Sequence, residues 1–366
     1  MKSFVKVIVT ILSIQLIFSC NNLNQKTLNP QKGIGCEYAS NFDIIVENGT
    51  KSLVVRESWD PKSKAGDTIK ISDNTGKQPK RVVCMSTSHI AYLSSLGLDD
   101  YIVGVSGSRY ITNPAIKEKI NNGEVVDIGF ESSLNYELLI SLKPDIVFSY
   151  GISGENNQYL EKIRQFGIRV IAIGDYLEEH PLGKLEYLKL FGEIFGIREK
   201  ADSIYDCSKI RYLNLKQLTE GTPNVKVLIN APWKEVWYIP GGRSYMSTLI
   251  NDAGGEIILS DKEKQAIHTY NLEKVYSRAI EAEFWLNPNN YSTIDELKLS
   301  NPLFKNIPCL QKGLVYNNTF RNTSEGGSDF WERGVVEPDI ILRDLIKILH
   351  PELDRKWTLK YYMKLK

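Results

Sequence analysis

Between residues 181 and 219 this chain offers no strand, while on both sides short apolar runs alternate with helical spacing, and that single interruption constrains the fold most. Before it, residues 81–85, 101–105, 145–150 and 169–173 read as buried strands, with helical spacing at 88–96, 136–142 and 158–166. After it, residues 225–230, 235–239, 283–286 and 313–316 read as strands, and a final helix over 338–349 stops at His350-Pro351. Strands alternating with helices imply parallel βαβ units and a sheet covered on both faces. Inside the interruption Ala201, Ile204, Tyr205, Tyr212, Leu215 and Leu218 recur at helical intervals on one face. The expected architecture is therefore two α/β lobes, 80–180 and 221–366, joined by a helical segment at 181–220.

The N-terminus says where the chain is sent. A basic start, an apolar run over 7–18 and the small residue Ser19 before Cys20 have the layout of a secretory signal. The run is about a dozen residues, short of the roughly 20 a spanning helix needs. Ile17-Phe18-Ser19-Cys20 resembles the lipobox of bacterial lipoproteins, which implies a signal peptide over 1–19 and a lipid on Cys20. Residues 20–35, polar and Asn-rich, read as a flexible tether. Asn21-Asn22-Leu23 carries no acidic run, so the periplasmic side of a bacterial membrane is expected.

Two short alternating runs, 42–46 and 52–56, flank the turn signal Glu47-Asn48-Gly49-Thr50, and a β-hairpin is expected in an extension over 36–79. A net charge of +1 excludes the basic balance of a nucleic-acid binder. Cys36, Cys84, Cys207 and Cys309 have no metal-ligand spacing, and no pairing among them is specified.

The two lobes share a local signature. Asn135-Tyr136-Glu137 heads a helix followed by a strand, and so does Asn271-Leu272-Glu273. Each Asn sits where an N-cap is expected, and each Glu falls in a first turn where its charge complements the helix dipole. Helix stability accounts for both residues, yet the repeat also places one carboxylate on the outer surface of each lobe.

The ordered set of motifs resembles a known family. Arg81-Val82-Val83 leading to Ser86-Thr87-Ser88, then Leu96-Gly97, Ile102-Val103-Gly104-Val105-Ser106, Val126-Asp127-Ile128-Gly129, Asn135-x-Glu137 and Leu142-Lys143-Pro144-Asp145-Ile146-Val147 look like the N-lobe of the ABC-transporter solute-binding proteins for ferric siderophores, haem and vitamin B12. The C-lobe is similar in Gly241-Gly242, Ala253-Gly254-Gly255, Asn271-x-Glu273 and the Pro338-Asp339 helix. Coverage runs from about 80 to 350. The resemblance implies Rossmann-like lobes joined by a long rigid helix, a ligand cleft between them, little closure on binding, and a monomer that meets a permease and its ATPase. It also implies that Glu137 and Glu273 dock on the permease. The bound solute would be an iron chelate or a corrinoid such as cobalamin; the chain itself needs no cofactor.

In two-lobed α/β proteins ligands sit beyond the carboxyl ends of strands. That selects Ser86, Thr87, Ser88, His89, Arg109, Tyr110, Phe130, Glu131, Tyr150 and Gly151 in the N-lobe. In the C-lobe it selects Trp233, Trp237, Arg243, Ser244, Tyr245, Arg321, Asp329, Phe330 and Trp331. Three of six tryptophans fall in this set, which suits a large, flat, partly apolar ligand, although Trp237 and Trp331 are as readily core residues. Arg109, Arg243, Arg321 and Arg333 offer forks that match planar oxygen pairs. His89, His180, His268 and His350 form no metal-ligand motif, so a metal would arrive chelated. The rival reading is an exported, lipid-anchored α/β enzyme with an inter-lobe active site. Against it, the chain has no G-x-S-x-G elbow, P-loop or H-E-x-x-H motif, and its Gly-rich run at 324–328 lacks a strand-to-helix context. An adhesin would show repeats or sandwich spacing, and neither is present.

Overall fold

The computed structural model describes residues 36–47, 50–55, 67–70, 78–130, 133–150 and 158–366. The expected signal, Cys20, the tether, Glu131, Gly151 and the tip of the hairpin turn lie outside the described residues. Strands β1 (Phe42–Glu47) and β2 (Thr50–Val55) pair antiparallel with Ile44 opposite Leu53 and Phe42 opposite Val55. The period of two puts these four side chains on one buried face. A third strand, β3 (Asp67–Lys70), pairs antiparallel with β2, so the expected hairpin is the core of a three-stranded sheet.

The N-lobe follows as β4 (Val82–Cys84), α1 (Thr87–Ser95), β5 (Ile102–Val105), α2 (Pro114–Asn121), β6 (Val126–Asp127), α3 (Tyr136–Ser141), β7 (Ile146–Ser149), α4 (Gln158–Gln165) and β8 (Val170–Ala172). Its five strands are all parallel, in the order β6-β5-β4-β7-β8. Strands β4, β7 and β8 are buried at every residue, which is why they read as continuous apolar runs rather than alternations. The strand order reverses at β4, which has β5 on one side and β7 on the other. A crevice therefore opens at the carboxyl end of β4.

The strand-free stretch holds two helices, α5 (Pro181–Ile194) and the long α6 (Arg198–Leu218). All 14 residues of α5 are buried, including Lys184, Glu186, Lys189 and Glu193. Gly196, at φ +66°, makes the turn into α6. The 21 residues of α6 span about 30 Å and bury Ala201, Tyr205, Ser208 and Tyr212, whereas Leu218 stays 48% exposed. The N-terminal extension packs on this spine. Phe42 meets the Tyr187 ring at 4.6 Å, and two buried carboxylates hold the backbone before it. Glu186 accepts the amides of Glu37, Tyr38 and Ala39 at 2.7 Å each, and Glu178 accepts those of Ser40 and Asn41.

The chain then enters the C-lobe: β9 (Val225–Ile229), β10 (Val236–Ile239), α7 (Tyr245–Asp252), β11 (Gly255–Ile257), β12 (His268–Asn271), α8 (Leu272–Ala279), β13 (Phe284–Leu286), α9 (Ile294–Ser300), α10 (Pro308–Gln311), β14 (Val315–Asn317), α11 (Pro338–Leu349) and β15 (Met363–Lys364). The sheet order is β11-β9-β13-β14-β15, parallel except for β15. Strand β10 leaves this sheet and pairs with β12 in an antiparallel ribbon. Two α/β lobes joined by a long helix is the observed architecture. Among the described residues no helix is long and apolar enough to cross a membrane.

Candidate functional site

The loops at the carboxyl ends of the N-lobe strands meet the C-lobe in three places. After β5, the Tyr110 carbonyl lies so close to Gly327 that a Cβ there would sit 2.6 Å from it. Two residues on, Thr112 and Asn113 donate their amides to Glu332 at 2.7 and 2.8 Å, and the Thr112 hydroxyl donates to Asp329 at 2.8 Å. After β8, Glu179 pairs with Arg243 in a bidentate contact at 3.0 Å. The strand ends of the N-lobe are thus turned towards the C-lobe, as a ligand cleft requires.

On the N-lobe side, Ser86 caps α1, its hydroxyl accepting the Ser88 amide at 3.3 Å and standing 3.0 Å from the Ser88 hydroxyl. Ser86 and Thr87 are half-buried and Ser88 is buried. His89 points into the lobe, fully buried and T-shaped against Phe148, and burial pushes its imidazole down to about 4, so it is neutral. Arg109, Tyr110 and Phe130 form one cluster: the guanidinium lies 4.5 Å from the Tyr110 ring and 6.0 Å from that of Phe130. Tyr150 is half-buried just past β7.

On the C-lobe side, Ser244 caps α7 and Tyr245 begins it, its ring 6.1 Å from Trp331. Trp331 is 46% exposed. Trp233 is exposed beside Tyr238, Asn289 and Tyr291 at a cavity of about 650 Å³ by the ends of β9 and β13. Arg321 is engaged by Asp329 at 2.9 Å, and Arg333 by Glu337 at 2.7 Å. Both arginines line a second cavity of about 470 Å³, which they share with Ser94, Thr112 and Asn113 from the N-lobe. Burial pushes the Glu332 carboxyl there up to about 7 despite its two amide donors.

Three of the expected ligand residues are buried in the core: Tyr245, 8% exposed, Trp237 and Phe330. Strand β10 alternates exposed and buried, and Trp237 falls on a buried position, 5.7 Å from Trp285 and 5.9 Å from Phe304, with its indole N–H donating to the Ile229 carbonyl. Phe330 is 1% exposed and packs edge-on against Tyr361 and Tyr362. Lys184, Glu179 and Glu332 escaped the sequence reading. Lys184 lies on the spine rather than in a strand-end loop, and the other two look like ordinary surface acids. Glu137 and Glu273 are exposed in the first turns of α3 and α8, behind their caps: Asn135 accepts the Leu138 amide, and Asn271 that of Lys274. No group of three or more His, Cys, Asp or Glu among the described residues could hold a metal.

A family model described as periplasmic binding protein matches residues 82–321. Among relatives, an uncharacterized lipoprotein of Methanocaldococcus jannaschii is 24% identical over 99% of this chain and 86% of its own. An uncharacterized ABC transporter substrate-binding lipoprotein of Bacillus subtilis is 26% identical over 48% of this chain and 54% of its own. The Fe(3+)-citrate-binding protein of that organism is 22% identical over 78% and 87%. Among solved structures, a periplasmic haem-binding protein of Vibrio cholerae superposes with a TM-score of 0.59 at 16% identity, covering 74% of this chain and 99% of that one. The periplasmic vitamin B12-binding protein of Vibrio cholerae gives 0.53 at 15%, covering 76% and 99%.

Proposed function

The chain belongs to the periplasmic binding protein family, and from that premise we propose that it captures an iron chelate or a corrinoid between its lobes. It is the solute-binding component of an ABC importer, a binding protein rather than an enzyme, and its partners are a solute and a permease. The observation that carries the finer reading is the meeting of strand-end loops from both lobes around aromatic and cationic side chains: Arg109, Tyr110 and Phe130 on one side, Tyr245, Trp331 and Arg243 on the other. A flat, polar-edged chelate needs both kinds of surface. Relatives and fold neighbours whose names specify Fe(3+)-citrate, haem and vitamin B12 support the same solute range.

Delivery to the permease is assigned to Glu137 and Glu273, one exposed carboxylate per lobe. A lipid on Cys20 would hold the binding protein on the outer face of the membrane and raise its local concentration at the permease. Related lipoproteins support that anchor. The archaeal relative leaves the bounding compartment a property of the host, and a periplasmic location is the reading for a host with an outer membrane.

The test is a titration of the purified chain with a ferric siderophore, haem and cyanocobalamin, followed by tryptophan fluorescence, for which Trp331 and Trp233 are the exposed reporters. Saturable quenching by one of the three is expected. No response to any of them would remove this solute class.

A further inference from the structure

The central helix α5 carries a cation with no protein acceptor among the described residues. Lys184 is 6% exposed, and its ammonium makes no hydrogen bond or ion pair among the described residues. Its neighbours are instead two aromatic faces, the Tyr245 ring at 4.6 Å and the Trp331 ring at 5.8 Å. The nearby carboxylates are occupied elsewhere: Asp175 accepts the Tyr92 hydroxyl, and Glu178 accepts the backbone of Ser40 and Asn41. An ammonium has three donors, and this one, on a side chain that is nearly all buried, keeps only a small contact with solvent and has no protein acceptor among the described residues. Cation–π contact compensates part of the charge but satisfies none of the donors. Trp331 is 46% exposed and Tyr245 8%, and both belong to the C-lobe.

We propose that Lys184 is the anchor for an anionic oxygen of the bound solute, a carboxylate or phenolate that inserts between Tyr245 and Trp331 and receives its ammonium hydrogen bonds. The proposal rests on the solute-binding reading above and narrows it: the cargo is a chelate with a free or peripheral anionic oxygen, not a cationic one. An anchor on the spine, rather than on either lobe, is reached without either lobe moving far.

The experiment compares wild-type protein with K184M in titrations with ferric citrate, haemin and ferrioxamine B, a ferric hydroxamate bearing a free ammonium, and in thermal melts without solute. Wild-type protein should bind an anionic probe in preference to ferrioxamine B, and K184M should weaken that binding tenfold or more. The ligand-free K184M protein should melt at the same temperature or higher, because methionine fills similar volume and removes a charge that burial disfavours. A lysine needed only for the fold would give the opposite result, a lower melting temperature with unchanged affinity. Unchanged affinity in K184M, or a preference for ferrioxamine B, overturns the anchor and leaves solute binding standing. If wild-type protein binds none of these probes and no cobalamin, the solute class falls and takes the anchor with it.

Discussion

Arg243 holds Glu179 across the two lobes, its Nη2 3.0 Å from both carboxylate oxygens and its Nε 3.1 Å from one of them. The arginine lies between β10, the first ribbon strand, and α7, and the glutamate lies between β8 and the spine. A ligand carboxylate competing for Arg243 must therefore displace Glu179 first. Both partners keep solvent access, 59% and 31%, so the pair contributes about 1 kcal/mol or less. Removing it by R243A should loosen the ligand-free protein and raise the solute off-rate about fivefold at most, measured by stopped-flow fluorescence. A hundredfold loss of affinity would instead place Arg243 directly on the solute.

A second inter-lobe contact is pH-sensitive. Burial raises Glu332 from the usual carboxyl range to about 7, while Thr112 and Asn113 donate their amides to it. A carboxyl with a raised folded pKa binds more protons in the folded state than in the unfolded one between its two pKa values. Stability therefore falls as pH rises from about 4.5 to about 7 and levels off beyond, by an amount on the order of a few kcal/mol at most. The slope of urea-unfolding free energy against pH in that window should flatten in E332Q. An identical slope in the variant would assign the pH dependence to other groups.

The fold was legible where burial acts on whole segments. Runs such as Ile146-Val147-Phe148 can only be interior strands, and the missing strands over 181–219 announced the spine. What periodicity could not announce is a helix buried on all sides: α5 carries Lys184, Glu186, Lys189 and Glu193, charges that read as a solvated face and are in fact interior. The site was legible only in part for a related reason. Trp233 follows the strand expected at 225–230 and stays at the surface, whereas Trp237 lies within the strand expected at 235–239, and the ribbon of β10 and β12 turns it onto Trp285. That difference lies in a pairing between strands 30 residues apart, which no local pattern contains. The cap-and-glutamate repeat, being local, was read in full.

That repeat carries the docking prediction. Glu137 and Glu273 are exposed and make no hydrogen bond or ion pair with other described residues, and in the first turn each adds about 0.3–1 kcal/mol through the helix dipole. The double variant E137A/E273A should accordingly fold and bind solute with unchanged affinity, yet fail to stimulate the ATPase of its transporter in proteoliposomes. A loss of solute affinity would move the two glutamates into the cleft and end their assignment to the permease.

The last prediction concerns where the N-terminal extension packs on the spine. Glu186 is fully buried and accepts three consecutive amides, from Glu37, Tyr38 and Ala39, while Lys189 lies 3.1 Å from the same carboxylate. Beside it Gly183 lets the Tyr38 backbone pass, since a Cβ there would stand 3.0 Å from the Tyr38 carbonyl. The two features act on one segment by different means, a charge that holds it and a space that admits it. E186A leaves three amides without their acceptor and removes the Lys189 ion pair, a loss of about 3–5 kcal/mol, and should expose amides 37–39 to hydrogen exchange. G183A leaves the carboxylate intact and displaces the same segment sterically, so it should raise exchange at the same amides with a smaller loss of stability. Protection unchanged in both variants would mean that the extension is held by the Phe42 and Leu53 face alone, and that the carboxylates only neutralise Lys189 and its surroundings.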